Sequence, residues 1–419
     1  MKTKTLIVSI LFLAIVYQNK AQNTVHYSIE DVFITIDKSF PQLQQYDAKI
    51  NAIRSMAEGA KSWMPPTVSL ALDRFPYKVS MIKEMIPDNQ AGIMLSIQQM
   101  IPNPAKQNAK RDYLVSLEDA QHNNQEWQRN VLHFTAKLYY YRRYTAERKL
   151  QLVNEYRSLL NMLIKTAKDK YAYNQSDLSS IFKAEASLSE LSNMETMLNA
   201  QIAESNIGLN TLMGSDVNAL FTIDTLITTK DYSKDYLETI DSSQLSRNDI
   251  LSMQSQIRSM QLNQKLASTG SKPDFGLQVS HGRMFGMPDQ FSIMAMMTIP
   301  IVPWSSKMYK SEIRSMGYEI ESMQKEKSTM ELMAKQMIRE KITMLISEKK
   351  QLDNYDTNVL PAYQKNLETN MLAYRQNTGN FFVLLDGWNM LLMKQMERVD
   401  KLNDVLMLQA EYEYQREIK

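Results

Sequence analysis

Apolar positions recur with the 3.6-residue helical period over six long stretches, and with the two-residue strand period over four short ones. The helical stretches run from Ile29 to about Lys61, Ala105 to about Tyr171, Leu178 to about Met213, Leu245 to Thr269, Lys307 to about Asn377 and Phe381 to about Ile418. No Gly or Pro interrupts the second, and only Gly317 and Pro361 interrupt the fifth. At 1.5 Å per residue the second helix is roughly 100 Å long. Helices of that length belong to coiled coils, tubes and solenoids rather than to globular domains.

The strand period is found at 67–73, where Val68, Leu70 and Leu72 oppose Ser69, Ala71 and Asp73. It returns at 93–101, with Ile93, Leu95, Ile97 and Ile101 against Met94, Ser96, Gln98 and Met100. A third run, 275–280, sets Phe275, Leu277 and Val279 against Gly276, Gln278 and Ser280. The fourth, 291–299, sets Phe291, Ile293, Ala295, Met297 and Ile299 against Ser292, Met294, Met296 and Thr298. One apolar face per strand suits a lipid-facing barrel, but taken alone the strands favour a soluble sheet covered by helices, since the barrel signal is weak per strand.

The order of elements separates these two. Helix, strand, strand, long helix, helix occurs twice, offset by about two hundred residues, which is a duplication rather than a solenoid period. Trp63-Met64-Pro65-Pro66 matches Gly270-Ser271-Lys272-Pro273, and Met100-Ile101-Pro102-Asn103-Pro104 matches Thr298-Ile299-Pro300-Ile301-Val302-Pro303. These prolines stand where a strand gives way to a long helix, a position that tolerates them. The segment from Tyr171 to Asp177 matches that from Tyr374 to Asn380, and both offer turn and N-cap residues between helices. The expected organisation is a first repeat over 22–213, an equatorial segment over 214–244 and a second repeat over 245–419.

Two strand pairs per chain are too few to stand alone. Lone hairpins are marginal in water, and in lipid their unpaired edges cost several kcal/mol per group. The strands are therefore expected to pair with strands of other copies, closing a barrel that continues into a helical tube.

Composition narrows the class further. The 48 Lys and Arg balance 46 Asp and Glu, so no charge excess points to nucleic acid. Cysteine is absent, which excludes disulfides, thiolate metal sites and a lipidated N-terminal Cys. Lys2 and Lys4 precede the apolar run Leu6–Val16, and Ala21 offers a cleavage point, so 1–21 reads as a signal peptide. No run reaches the length of a transmembrane helix. The four histidines, His26, His122, His133 and His281, form no metal or triad spacing, no phosphate loop appears, and neither an enzyme nor a cofactor is expected. His281-Gly282 reads as the start of a loop after the third strand.

The duplicated plan, the Pro-bounded switches and the Tyr-x-x-Asn turns resemble those of the TolC-type outer-membrane efflux proteins. Tyr374-Arg375-Gln376-Asn377-Thr378-Gly379 with Leu384-Leu385-Asp386 is the best local match, resembling the family's helix-hairpin tip. The resemblance implies a homotrimer with four strands per chain in a twelve-strand transmembrane β-barrel above an α-helical barrel. It implies an outer-membrane location with a periplasmic extension, and a periplasmic adaptor protein and inner-membrane pump as partners. Asn174, Asp177, Arg375, Asn377, Gly379 and Asp386 are then expected to face the adaptor. Only Asp386 matches the family's two tip aspartates, Val383 standing at the other place.

Methionine adds one candidate. Met316, Met323, Met330, Met337 and Met344 repeat every seven residues, a spacing that keeps one seam toward a partner. Packing is the favoured reading, since Leu117, Val131 and Leu138 occupy equivalent places in the first repeat. A thioether path for Cu(I) or Ag(I) is the other, with Met94, Met100, Met294 and Met296 extending it. The expected function is a passive export channel for metal ions or small toxic molecules. A soluble periplasmic coiled-coil adaptor or scaffold, and a type I protein-secretion channel, are the rivals.

Overall fold

The computed structural model describes residues 25–78, 80, 82, 91–173, 177–237, 246–376 and 378–418. The expected signal segment, Asn174 and Asn377 lie outside them. The chain opens with a short strand β1 (Val25–Tyr27) and two helices, α1 (Ile29–Ser39) and α2 (Pro41–Glu58). Strands β2 (Thr67–Asp73) and β3 (Gly92–Ile101) follow, then α3 (Pro104–Ala172), α4 (Leu178–Met213), β4 (Phe221–Ile223) and the short α5 (Ser233–Leu237). The second half runs through α6 (Asn248–Ser268), β5 (Phe275–Met284), β6 (Gln290–Met297), α7 (Pro303–Asn354), α8 (Leu360–Arg375) and α9 (Phe381–Arg416).

Local chemistry sets the element ends. Ser28 and Asp31 form a capping box, each side chain accepting from the other's backbone N–H, and start α1. The single helix expected over 29–61 is two, because Phe40 precedes Pro41 and adopts extended backbone (φ −71°, ψ 119°). Proline's ring disfavours helical geometry in the residue before it. Gly317, an expected interruption, lies inside α7 without a break. The break falls instead on a π turn at Tyr355–Val359 ahead of Pro361. Pro361 has no N–H to continue the ladder, and a widened turn absorbs the lost bond. Gly214 ends α4 at φ +66°, donating to Asn210 and Thr211 carbonyls, a left-handed cap that glycine enters without penalty.

The chain divides into two compact units, each drawn from both sequence halves. One comprises Met1–Phe40, Asn130–Thr239 and Met337–Lys419. Within it β1 pairs in parallel with β4 through Val25↔Phe221, His26↔Thr222 and Tyr27↔Ile223, a pairing that has no strand-length pattern in the sequence. A continuous apolar core joins Val153, Leu160, Ile164 and Ala167 of α3, Ile181, Leu191 and Leu198 of α4, Leu367 of α8, and Phe381, Leu384, Leu385 and Leu392 of α9.

The other unit comprises Pro41–Arg129 and Ile240–Gln336. Polar contacts stitch its helices: Gln125 donates to Leu43 O (3.1 Å) and Asp47 Oδ1 (2.7 Å), and Ser259 Oγ donates to Ser116 O (2.9 Å). Its sheet is antiparallel in the order β2-β3-β5-β6.

Candidate functional site

The register of the sheet sorts its side chains into rows. Val68, Ile97, Val279 and Ile293 stand opposite one another across all four strands. Next to them run Leu70, Leu95, His281 and Phe291. On the reverse face Ser69, Ser96, Ser280 and Ser292 form a matching row, with Ser69 Oγ 2.6 Å from Ser96 Oγ.

Burial runs opposite to that of a water-soluble sheet. Leu70 is 72% exposed and Phe291 78%, whereas Ser96 and Ser280 are 8% and 5% exposed. The apolar face is bare, and the small polar face is covered on the central strands β3 and β5, while Ser69 and Ser292 of the outer strands are exposed. Gly276 lies within the covered face, where Met100 and Met296 fold over it: a Cβ there would stand 2.7 Å from Met100 Sδ. Aromatic side chains frame both ends of the sheet. Trp63 and Trp304 are exposed at the end where β2 begins, and Phe75 meets Phe285 edge-on (5.8 Å) at the other. Among the described residues, β2 and β6 are each hydrogen-bonded on one side only.

His281 is not a loop residue. It sits inside β5, which continues to Met284, with its side chain in the apolar row between Leu95 and Phe291. Gly282 looks like the end of a strand in the sequence, yet it is paired with Met94 and Gln290 on the other face.

The expected tip residues lie in the other unit, at two helix hairpins. Between α8 and α9, Ala373 O accepts from the backbone N–H groups of Thr378 and Gly379, both at 3.0 Å. Asn380 Oδ1 accepts from Phe382 N (2.9 Å) and starts α9. Gly379 is required by contact rather than by a left-handed backbone: an added Cβ would stand 2.9 Å from Ala373 Cβ. Arg375 is exposed in the last turn of α8, where a cation suits the helix dipole. Asp386 is exposed and lines a cleft of about 460 Å³ with Tyr363, Asn366, Asn370 and Val383. At the first hairpin Asp177 precedes α4, and its Oδ2 accepts from Ser179 Oγ (3.2 Å).

The two hairpins meet through residues that sequence reasoning passed over. Lys170 of α3 lies 4.1 Å from the Tyr374 ring centroid, and Lys183 of α4 lies over Phe382 at 5.4 Å. Burial raises the Tyr374 phenol above its ordinary range. No pattern along the chain could pair Lys170 with Tyr374, since they are two hundred residues apart in different helices.

Along α7, Met316, Met323 and Met330 are half-buried, and Met337 and Met344 are exposed. The buried line beside them is Ile320, Ala334, Ile338, Ile342 and Leu345. Seven helical residues root successive methionines about 10.5 Å apart. Among the described residues no group of three or more His, Cys, Asp and Glu could hold a metal ion.

No protein-family model and no curated protein matches the chain. Solved structures do. The outer membrane protein VceC of Vibrio cholerae superposes with TM-score 0.74 at 14% identity, over 93% of this chain and 95% of that one. The Campylobacter jejuni CmeC outer membrane channel gives TM-score 0.73 at 13% identity, over 93% and 85%. CusC, described for transmembrane channel formation, gives 0.72 at 12% identity, over 96% and 95%. The chain has the TolC-type outer-membrane channel fold. In the TolC-type fold four strands per chain are expected, and β2, β3, β5 and β6 are those four. β1 and β4 form a separate small sheet, absent from the expectations.

Proposed function

We propose that the protein is the outer-membrane subunit of a tripartite export system, a passive conduit from periplasm to exterior. The inverted sheet carries this reading. The outward apolar side chains of β2, β3, β5 and β6 would be covered by lipid at about 25 cal/mol per Å², a gain that water denies them. The free edges of β2 and β6 would be hydrogen-bonded by sister chains, so a homotrimer closes twelve strands and leaves no edge. The two repeats, 22–213 and 245–419, would each supply one hairpin to that barrel, and 214–244 would belt the helices.

Energy comes from a partner in this reading, an inner-membrane pump reached through a periplasmic adaptor. Asp177, Arg375, Gly379 and Asp386, with Asn174 and Asn377, would meet the adaptor. The cargo is metal ions or small toxic molecules. The bare apolar face speaks against a soluble adaptor or scaffold, which would leave it in water.

The test is fractionation and reconstitution of the mature chain. A detergent-dependent trimer in the outer-membrane fraction, conducting in a planar lipid bilayer, is the expected result. A monomer soluble without detergent would overturn the reading. For the tips, single cysteines at 177, 375 and 386 are expected to crosslink to a cysteine-bearing adaptor; no crosslink from any of them would remove that contact.

A further inference from the structure

Resting on the barrel reading, one further site emerges from the apolar face. We propose that His281 and Arg283 bind anionic phosphomonoester groups on membrane-lipid headgroups, fixing the depth at which the sheet sits.

The register puts both side chains on the face that lipid must cover. His281 stands opposite Leu95 and Phe291, and Arg283 opposite Ile93. Both are exposed. Among the described residues of the four strands, the other polar side chain on that face is Gln99, whose amide is occupied by Met64 O (3.0 Å) and Met100 O (2.7 Å). His281 and Arg283 have no side-chain hydrogen bond or ion pair among the described residues, so their donors are available. A permanent cation on a lipid-facing surface is tolerated only near the interface.

Position along the strand agrees. Phe275 and Arg283 are eight residues apart on β5, so at a tilt of about 40° they lie about 20 Å apart along the membrane normal. An apolar barrel band is about 25 Å tall. With Trp63 and Trp304 marking the boundary at the Phe275 end, Arg283 reaches the opposite boundary, where the phosphates are. A guanidinium there can take two phosphate oxygens at once, and the imidazole one residue-pair deeper adds a single N–H donor.

Full-length mature protein would be refolded into vesicles of phosphatidylcholine alone, with bisphosphorylated lipid A, or with the same lipid after phosphatase treatment. The readout is the temperature at which the folded band is lost on a gel. The phosphorylated lipid is expected to raise that temperature by several degrees in the parent and by less than half as much in H281Q/R283Q. R283K, which keeps the charge and loses the fork, should fall between. All three should behave alike in phosphatidylcholine alone. Equal shifts in parent and double variant would overturn the site, as would an equal shift produced by inorganic phosphate in solution. A parent that fails to insert into neutral vesicles would instead remove the barrel reading, and the site with it.

Discussion

Lys137 and Glu413 form a buried ion pair, with Nζ 2.6 Å from Oε2 and the Glu413 side chain 1% exposed. Tyr232 Oη donates to Glu413 Oε1 (2.6 Å), Gln409 Nε2 donates to the same oxygen (3.1 Å), and Lys230 Nζ lies 3.1 Å from it. Tyr412 Oη donates to Asp235 Oδ2 (2.8 Å). Together these contacts fasten the polar stretch 230–235 to α9, a stretch whose composition alone suggests no role.

Removing Lys137 leaves the buried Glu413 carboxylate with only the half-exposed Lys230 as a counter-charge. Lys137→Met is expected to cost about 3–5 kcal/mol, whereas Lys137→Met with Glu413→Met should recover most of the loss. Denaturant unfolding of the two variants checks this, and equal losses would show that packing rather than charge is at stake.

The same carboxyl gives a pH dependence. Burial pushes the Glu413 acid up, but the Lys137 ammonium, the hydrogen bonds from Lys137 and Tyr232, and Lys230 outweigh it and hold the group below its ordinary range. A depressed folded value means the stabilisation is full above the unfolded value of about 4.3 and is lost as pH falls through the lower folded one. Unfolding midpoints measured between pH 7 and pH 3 should drop more steeply in the parent than in Glu413→Gln.

The two faces of the sheet should respond oppositely to charge. Val279→Lys, in the middle of the bare apolar face, is expected to cost about 2–4 kcal/mol of folding into vesicles. Ser292→Lys, on the reverse face of β6 and itself exposed, should cost far less. Urea titration of the vesicle-folded protein compares them, and equal costs would mean that lipid does not cover the first face.

At the second hairpin, Gly379→Val forces a side chain against Ala373. Overpacking of this kind costs about 1–3 kcal/mol. Faster amide exchange over 372–384 than in the parent is the expected sign, with α6 unaffected.

Replacing Met316, Met323, Met330, Met337 and Met344 by leucine should leave both assembly and cellular copper tolerance unchanged if the heptad is packing. Normal assembly with lost tolerance would favour the thioether path.

Much of the sheet was legible because its alternation is uninterrupted: β2 matches its expected span, and β3 and β6 differ by one or two residues at their ends. The face each side chain takes follows from the same period. His281 escaped it because a glycine after a strand usually signals a turn, and only the cross-strand partners Met94 and Gln290 reveal that pairing continues. Pro41 breaks the first helix through its effect on Phe40, a one-residue influence hidden inside a helical period. The hairpin turn at Asn380 could be read from its capping side chain, while the contact of Lys170 with Tyr374 depends on how distant helices pack. The two compact units cut across the sequence repeats because α3 and α7 each run through both, and no composition shift marks the crossing.

The parallel pair β1 and β4 joins stretches of chain 196 residues apart, and His26 reinforces it through Thr222 Oγ1 (3.2 Å) and Asp224 Oδ1 (3.1 Å). Such a ladder cannot form while the polypeptide is still emerging up to α4. The opening strand therefore pairs only once the chain through β4 exists, a long-range contact of the kind that slows folding.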